Sequence, residues 1–284
     1  MNIAIASGKG GTGKTTFAVS LASFLSREKT VALLDGDVEA PNSNLFLKVP
    51  VAECEQVSVP VPAVIDDRCT GCGACEDFCE FSAIVVIKGK PLVLPEMCHS
   101  CGGCLVVCPE KALHEVPRPI GVIETGERDN ILYAGGVLNI GEPMAPPLIK
   151  ELKKYHYIPD IRILDCPPGT SCPVIEAARG CDYLLLVTES SPFGLNDLKL
   201  AVGMARELSL PFGVALNRAD DSFRGVEEFC SAENIPLVAR IPFDLEVAGT
   251  YSRGEMPFIL KKYPDQLESI MKDINLRNRR SLHL

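Results

Sequence analysis

The sequence predicts an α/β protein: a mostly parallel sheet with helices on both faces, interrupted by a small α+β insert rich in cysteine. Three observations carry this expectation. Short apolar runs such as Ile3-Ala4-Ile5-Ala6, Thr30-Val31-Ala32-Leu33-Leu34 and Tyr183-Leu184-Leu185-Leu186-Val187 have the length and character of buried parallel strands. They alternate with stretches such as Phe17–Leu25, whose apolar residues recur at helical spacing. Of the 13 cysteines, eight fall in two runs of matching spacing near the middle of the chain, between segments rich in valine and proline.

The first strand leads into Gly8-Lys9-Gly10-Gly11-Thr12-Gly13-Lys14-Thr15-Thr16 and then into the first helix. Strand, glycine loop and helix, with Gly-x-x-x-x-Gly-Lys-Thr in the loop, spell a phosphate-binding P-loop. Its glycines let backbone N–H groups turn inward on phosphates, and the helix N-terminus adds a favourable dipole. Lys14 is expected to reach the β- and γ-phosphates, and the Thr15 hydroxyl to ligate Mg²⁺. The ligand is a nucleoside triphosphate.

A second lysine, Lys9, stands directly after the first glycine. In this the loop resembles the deviant P-loop of the MinD/ParA/Mrp group, to which the nitrogenase iron protein is related. The resemblance implies an ATP-dependent dimer, of two identical chains or with a paralogue, in which Lys9 reaches the partner's phosphates. A second cation there would stabilise transition-state charge as an arginine finger does.

The second strand ends in Asp35-Gly36-Asp37, where ligands of parallel sheets bind. By resemblance Asp37 orients or deprotonates the attacking water. Asp35 stays open between a role around Mg²⁺ and a helix cap. From Val57 to Pro62 valine and proline alternate, an extended linker that cannot be helix. Val116-Pro117-Arg118-Pro119 is read as a second stiff linker. The expected organisation is therefore an ATPase part over residues 1–59, an insert over 60–118, and a second ATPase part over 119–284.

Inside the insert, Cys69-x-x-Cys72-x-x-Cys75-x-x-x-Cys79 is echoed by Cys98-x-x-Cys101-x-x-Cys104-x-x-x-Cys108-Pro109. This is the bacterial ferredoxin spacing, in which the fourth cysteine of each run ligates the other cluster. Transferred here, one [4Fe–4S] cluster takes Cys69, Cys72, Cys75 and Cys108. The other takes Cys98, Cys101, Cys104 and Cys79. Glu80 stands where the first run would have proline. Zinc is the alternative, but its sites use separated cysteine pairs around one ion. His99, between two ligands, is read as a surface neighbour of the cluster.

The α/β pattern then resumes. Ile161-Arg162-Ile163-Leu164-Asp165 is a strand ending in a carboxylate, followed by Cys166-Pro167-Pro168-Gly169-Thr170. It resembles the family's Walker-B segment and second switch, so Asp165 is expected to hold Mg²⁺ through water and the Gly169 N–H to sense the γ-phosphate. After the strand Tyr183-Leu184-Leu185-Leu186-Val187-Thr188-Glu189, a helix is expected from about Asn196 to Leu208, then a strand from Phe212 to Asn217. Asn217-Arg218 resembles the base-reading position, and by the same resemblance the segment Ile241-Pro242-Phe243-Asp244, with Pro242 foremost, is expected to border the base. Asn217-Arg218-Ala219-Asp220 also approximates a guanine-reading motif; the P-loop variant favours ATP. Among the remaining cysteines, Cys54, Cys166, Cys172, Cys181 and Cys230, only Cys172 matches a ligand of the nitrogenase iron protein's shared cluster, and its companion has no counterpart. A buried, inert thiol is the default for all five.

Composition narrows the functions. The net charge of −9 argues against a general nucleic-acid surface. No apolar run approaches the length that spans a bilayer, and the basic tail from Leu276 to Leu284 has too few bulky apolar residues for firm membrane binding. It is read as a solvated end. The cysteine content suggests metal binding in a reducing, cytoplasmic setting. The expected function is ATP-gated electron transfer to an unknown redox partner protein. An iron–sulfur carrier of the Mrp type and a MinD/ParA-like positioning switch with redox-sensing clusters are the alternatives.

Overall fold

The computed structural model describes residues 1–155, 158–256 and 259–281. The last three residues of the expected solvated tail lie outside the described residues. One nine-stranded sheet organises the chain, in the order β11-β10-β9-β1-β8-β2-β7-β6-β3. Its strands are β1 (Asn2–Ala6), β2 (Val31–Asp35), β3 (Val51–Val64), β6 (Leu113–Arg128), β7 (Ile131–Leu138), β8 (Ile161–Asp165), β9 (Tyr183–Glu189), β10 (Phe212–Ala219) and β11 (Leu237–Pro242). From β11 to β7 all neighbours are parallel. β6 joins β7 antiparallel, and β3 joins β6 antiparallel at the edge.

Side chains alternate across this sheet as the pleat requires. Ile3 and Ile5 point into one apolar cluster and Ala4 and Ala6 into the other. The first cluster is closed by α1 (Lys14–Leu25) and α11 (Pro264–Ser281), through Phe17, Leu21, Leu267 and Ile270. The opposite face is covered by α5 (Pro146–Lys153), α6 (Cys172–Ala178), α7 (Pro192–Glu207) and α8 (Gly225–Ala232), through Leu148, Val174, Leu198 and Val226. Short helices α2 (Ser43–Leu47), α9 (Leu245–Ser252) and α10 (Ile259–Lys262) border the carboxyl ends of the strands or the first helix. No helix among the described residues is long and apolar enough to cross a membrane.

Two expectations change. The valine–proline segments are not linkers but the two strands of a ribbon, in which Val59 pairs with Arg118 and Pro60 with Pro117. Pairing of β6 with β7 begins only at Gly121, so Pro117 and Pro119 sit where one edge of β6 faces no strand. Proline's missing N–H costs nothing at such an edge. The end from Leu276 continues α11 through Ser281, beyond its buried residues Leu267, Ile270, Met271 and Ile274, and Leu276 itself is exposed. The helix expected from Asn196 starts earlier, at Pro192, where the Ser191 hydroxyl caps it by accepting from the Gly194 N–H.

At the far end of the ribbon lies a small module with internal symmetry. A single tight turn at Asp66–Arg68 and α3 (Ala74–Phe78) in the first half match a turn at Pro95–Met97 and α4 (Gly103–Val107) in the second. Gly73 and Gly102 precede the helices with φ of 83° and 71°. A hairpin of β4 (Ile84–Ile87) and β5 (Lys90–Val93) completes it.

Candidate nucleotide site and cysteine module

The P-loop leaves β1 at the centre of the parallel strands, where β8 and β9 flank it on either side. This is the crevice at which open α/β sheets bind ligands. A cavity of about 280 Å³ opens here, bordered by Gly10, Gly11, Gly13, Lys14, Thr15 and Thr16. Its far wall holds Asn217, Arg218 and Pro242, so the phosphate and base segments expected from the sequence face one space. Asp37 also borders it. Asp220, which the guanine alternative requires, does not; its carboxylate accepts from the Ser222 N–H at 2.9 Å instead.

The loop is braced from several sides. Lys14 is buried and donates to the Ser7 hydroxyl at 3.1 Å. Asn217 donates from Nδ2 to the Thr12 carbonyl at 2.8 Å. Gly13 has a φ of 103°, and a Cβ there would lie 2.3 Å from Asn217 Nδ2. At Gly8 a Cβ would meet the Asp197 carbonyl at 2.3 Å, so α7 closes on the loop only because glycine is present.

Three carboxylates gather at the strand ends, and Asp37 and Asp165 feel the Lys14 charge. Asp35 is fully buried and accepts from the backbone N–H groups of Asn42 and Ser43 at 2.9 and 2.8 Å. It therefore fastens the loop after β2 to the strand end, the capping role left open above. Burial raises the Asp165 carboxyl, and the Asp35 charge adds to the rise against the Thr15 hydroxyl and the Lys14 charge. Burial likewise raises Asp37, with Lys14 opposing. Asp165 Oδ2 accepts from the Ser43 hydroxyl at 3.3 Å, whereas Oδ1 is buried without a partner. An orphaned carboxylate oxygen beside a threonine hydroxyl and a phosphate loop fits a hard divalent cation such as Mg²⁺.

Two expected roles meet a different geometry. Lys9 folds back on its own chain, its Nζ 2.5 Å from Glu189 Oε1 at the end of β9. Arg218, at a φ of 49°, lies 3.5 Å from the other Glu189 oxygen. Burial disfavours ionised Glu189, but Lys9 and Arg218 outweigh it and hold the carboxyl below its ordinary range. The Gly169 N–H is not open to a phosphate either; it donates to the Ser7 carbonyl at 3.0 Å. Phe243, within the segment expected to border the base, lines the cavity, and so does Tyr251, which the sequence did not single out. Tyr251 packs 4.8 Å from Phe46. Nothing local in the sequence marks Tyr251.

In the module two crossed sets of four cysteines border separate cavities. Cys69, Cys72, Cys75 and Cys108 line a space of about 20 Å³. Cys79, Cys98, Cys101 and Cys104 line one of about 380 Å³, walled further by Phe78, Phe81, Pro60 and Pro62. Burial raises the Cys75 thiol, with Cys108 and Cys69 adding; it pushes Cys104 up to about 11, with Cys98 and Cys101 adding. Backbone N–H groups point at the two crossed sulfurs in equivalent ways, Ala83 to Cys79 and Ala112 to Cys108, both at 3.3 Å. Among the described residues no three His, Cys, Asp or Glu side chains could hold a single metal ion. The cysteines border spaces instead of meeting at one point. A Cβ on Gly71 would lie 2.2 Å from the Gly89 carbonyl and one on Gly103 2.1 Å from the Phe78 ring, so glycine permits this wrapping. Soft sulfur donors in two sets of four, with backbone N–H groups aimed at them, fit [4Fe–4S] clusters. His99 stacks on Phe81 with ring centroids 3.6 Å apart. Burial raises Cys166, Cys181 and Cys230, as for inert thiols; Cys54 and Cys172 are exposed.

Fold and loop together define a P-loop nucleotide-binding α/β protein. The chain belongs to the CobQ/CobB/MinD/ParA nucleotide-binding domain family, whose model matches residues 3–258. It is 32% identical over 256 residues to an uncharacterised protein of Methanocaldococcus jannaschii, covering 87% of this chain and 86% of that one. It is 28% identical over 284 residues to the iron-sulfur cluster carrier protein of Aquifex aeolicus, covering 93% of this chain and 62% of the relative. In fold it resembles the cell division ATPase MinD of Pyrococcus furiosus, with a TM-score of 0.59, 23% identity and coverage of 95% of this chain and 98% of that one.

Proposed function

We propose that this protein binds and hydrolyses ATP with Mg²⁺ in a nucleotide-dependent dimer, and couples that cycle to electron transfer through two [4Fe–4S] clusters. One observation carries the coupling: the ribbon that bears both sets of four cysteines is continuous with the sheet whose central strand bears the P-loop. Lys14 and the loop N–H groups hold the phosphates, and Asn217 and Pro242 border the base. Asp37 orients the attacking water. Thr15 and Asp165 hold Mg²⁺, which supplies charge neutralisation on the phosphate oxygens. To act on a partner's nucleotide, Lys9 leaves Glu189; to meet the γ-phosphate, the Gly169 N–H leaves Ser7. Both are discrete exchanges of partner, the kind of two-state element a nucleotide can bias. Cys69, Cys72, Cys75 and Cys108 hold one cluster and Cys98, Cys101, Cys104 and Cys79 the other, which when bound supply one-electron carriers.

The test is anaerobic EPR of the reconstituted, partly reduced protein titrated with ATP·Mg²⁺ and then ADP·Mg²⁺, beside Lys9→Ala. A nucleotide-dependent spectrum or midpoint, lost in Lys9→Ala, is the expected result. Identical spectra in every nucleotide state overturn the coupling. Similarity to the Aquifex carrier favours a second reading, delivery of clusters to other proteins. Transfer of iron and sulfide to an apo-ferredoxin, faster with ATP, would select it.

A further inference from the structure

The two buried acids at the strand ends, Asp35 and Asp165, are register partners on adjacent parallel strands. Ser43, the first residue of α2, touches both and is itself fully buried. Its backbone N–H donates to Asp35 Oδ2 at 2.8 Å, and its hydroxyl donates to Asp165 Oδ2 at 3.3 Å. The hydroxyl also lies beside Asp35: burial raises that carboxyl, and the Ser43 N–H and hydroxyl oppose the rise. A serine hydroxyl carries one hydrogen. Asp35 already accepts main-chain N–H groups from Asn42 and Ser43 on Oδ2, and from Asp37 at 3.3 Å on Oδ1. The hydrogen therefore serves Asp165, whose Oδ1 is buried without a partner.

A carboxylate turns in a broad, roughly two-fold well about its last bond. A donor fixed on one oxygen narrows that freedom, and here it leaves Oδ1 as the open oxygen. Ser43 also ends the loop 36–42, in which Asp37 and Asn42 border the nucleotide cavity. One buried serine thus ties that loop to the carboxylate of the neighbouring strand.

We infer that Ser43 is a positioning residue for Mg²⁺: its hydroxyl orients Asp165 so that Oδ1 is the oxygen left to the cation. This rests on the reading of Asp165 given above. Groups that hold a metal's ligand in place typically carry about 10–100-fold of metal affinity. Alanine at this position removes the hydroxyl but keeps the backbone N–H, so the fastening of the loop to Asp35 survives the substitution.

The test is equilibrium dialysis of the full chain against adenylyl imidodiphosphate, an ATP analogue that resists hydrolysis, once with Mg²⁺ and once with EDTA. Wild type is expected to bind more tightly with Mg²⁺. Ser43→Ala is expected to match wild type in EDTA and to lose about tenfold of the gain that Mg²⁺ brings. Asp165→Asn loses that gain as well, and Ser43→Ala/Asp165→Asn loses no more than Asp165→Asn alone, because the hydroxyl acts through that carboxylate. Ser43→Cys, close in shape and a weaker donor, carries the test if Ser43→Ala does not fold, and loses part of the same gain. Equal weakening with and without Mg²⁺ would make Ser43 a structural brace and overturn the inference. An undiminished gain in Ser43→Ala, or additive losses in the double variant, would overturn it too. If wild type gains nothing from Mg²⁺, the reading of Asp165 falls and this inference with it.

Discussion

The nucleotide end and the cysteine module are stabilised by different means. Around the P-loop, two large apolar clusters sandwich the sheet, so Lys14, Asp165 and Asn217 are held by a scaffold that needs no ligand. The module's separate cluster has four buried members, Cys75, Ile84, Cys104 and Leu113, and two of them are thiols. So small an apolar core cannot offset the entropy of ordering the segment. The body places a candidate site on a finished fold, whereas in the module the cysteines are both the proposed cluster ligands and much of the core.

The sharpest way to break that comparison is to withhold metal. Binding free energy at a structural metal centre is folding free energy. Chain assembled without iron and sulfide is expected to lose hydrogen-exchange protection over residues 66–112, while β1, β8 and β9 keep theirs. Equal protection of the module with and without iron would show that its small core suffices. The converse change is Lys14→Ala. Removing this cation is expected to slow ATP hydrolysis by about 10²–10³, as loss of one key charge-stabilising group does, with iron and sulfide per chain unchanged. Loss of the clusters together with hydrolysis would show that the two ends fold as one.

The same contrast explains what the sequence made legible. Strands β8 and β9 are read to their observed ends because both faces are buried and their apolar runs are continuous. The grouping of cysteines into two crossed sets is legible because the spacing itself encodes the wrapping. The ribbon is not, since alternating valine and proline reads as a spacer; its prolines are tolerated only through where the ribbon's free edges fall, a tertiary fact. Helix α11 had a readable signal in Leu267, Ile270, Met271 and Ile274, spaced three and four apart. The partner of Lys9 had none, because Glu189 lies 180 residues away.

A smaller effect tests whether the nucleotide end is as preformed as this comparison holds. Asn217 has a dual position, bordering the cavity and bonding the Thr12 carbonyl within a buried setting. Asn217→Ala leaves that carbonyl unpaired and is expected to cost about 1–3 kcal/mol of stability, read by denaturant unfolding, together with weaker ATP binding. Weaker ATP binding at unchanged stability would mean that the residue serves the base alone and that the loop is braced elsewhere.

The smallest effect concerns the Lys9–Glu189 pair. The folded-state pKa of Glu189 is lowered from the ordinary glutamate value of 4.5, because burial, which opposes ionisation, is outweighed by Lys9 and Arg218. A lowered carboxyl contributes stability that is fully present above its unfolded-state value and is lost as pH falls through its folded-state value. The sensitive window therefore lies below pH 4.5. The pair is partly open to solvent, with side-chain exposures of 32% and 20%, so screening limits its worth to about 0–1 kcal/mol. Glu189→Gln is expected to flatten the acid limb of thermal stability by that amount and to leave stability at neutral pH lower by no more than the same. An unchanged acid limb would mean that Lys9 is only lightly held by its own chain, and that little must be given up for it to reach a second nucleotide.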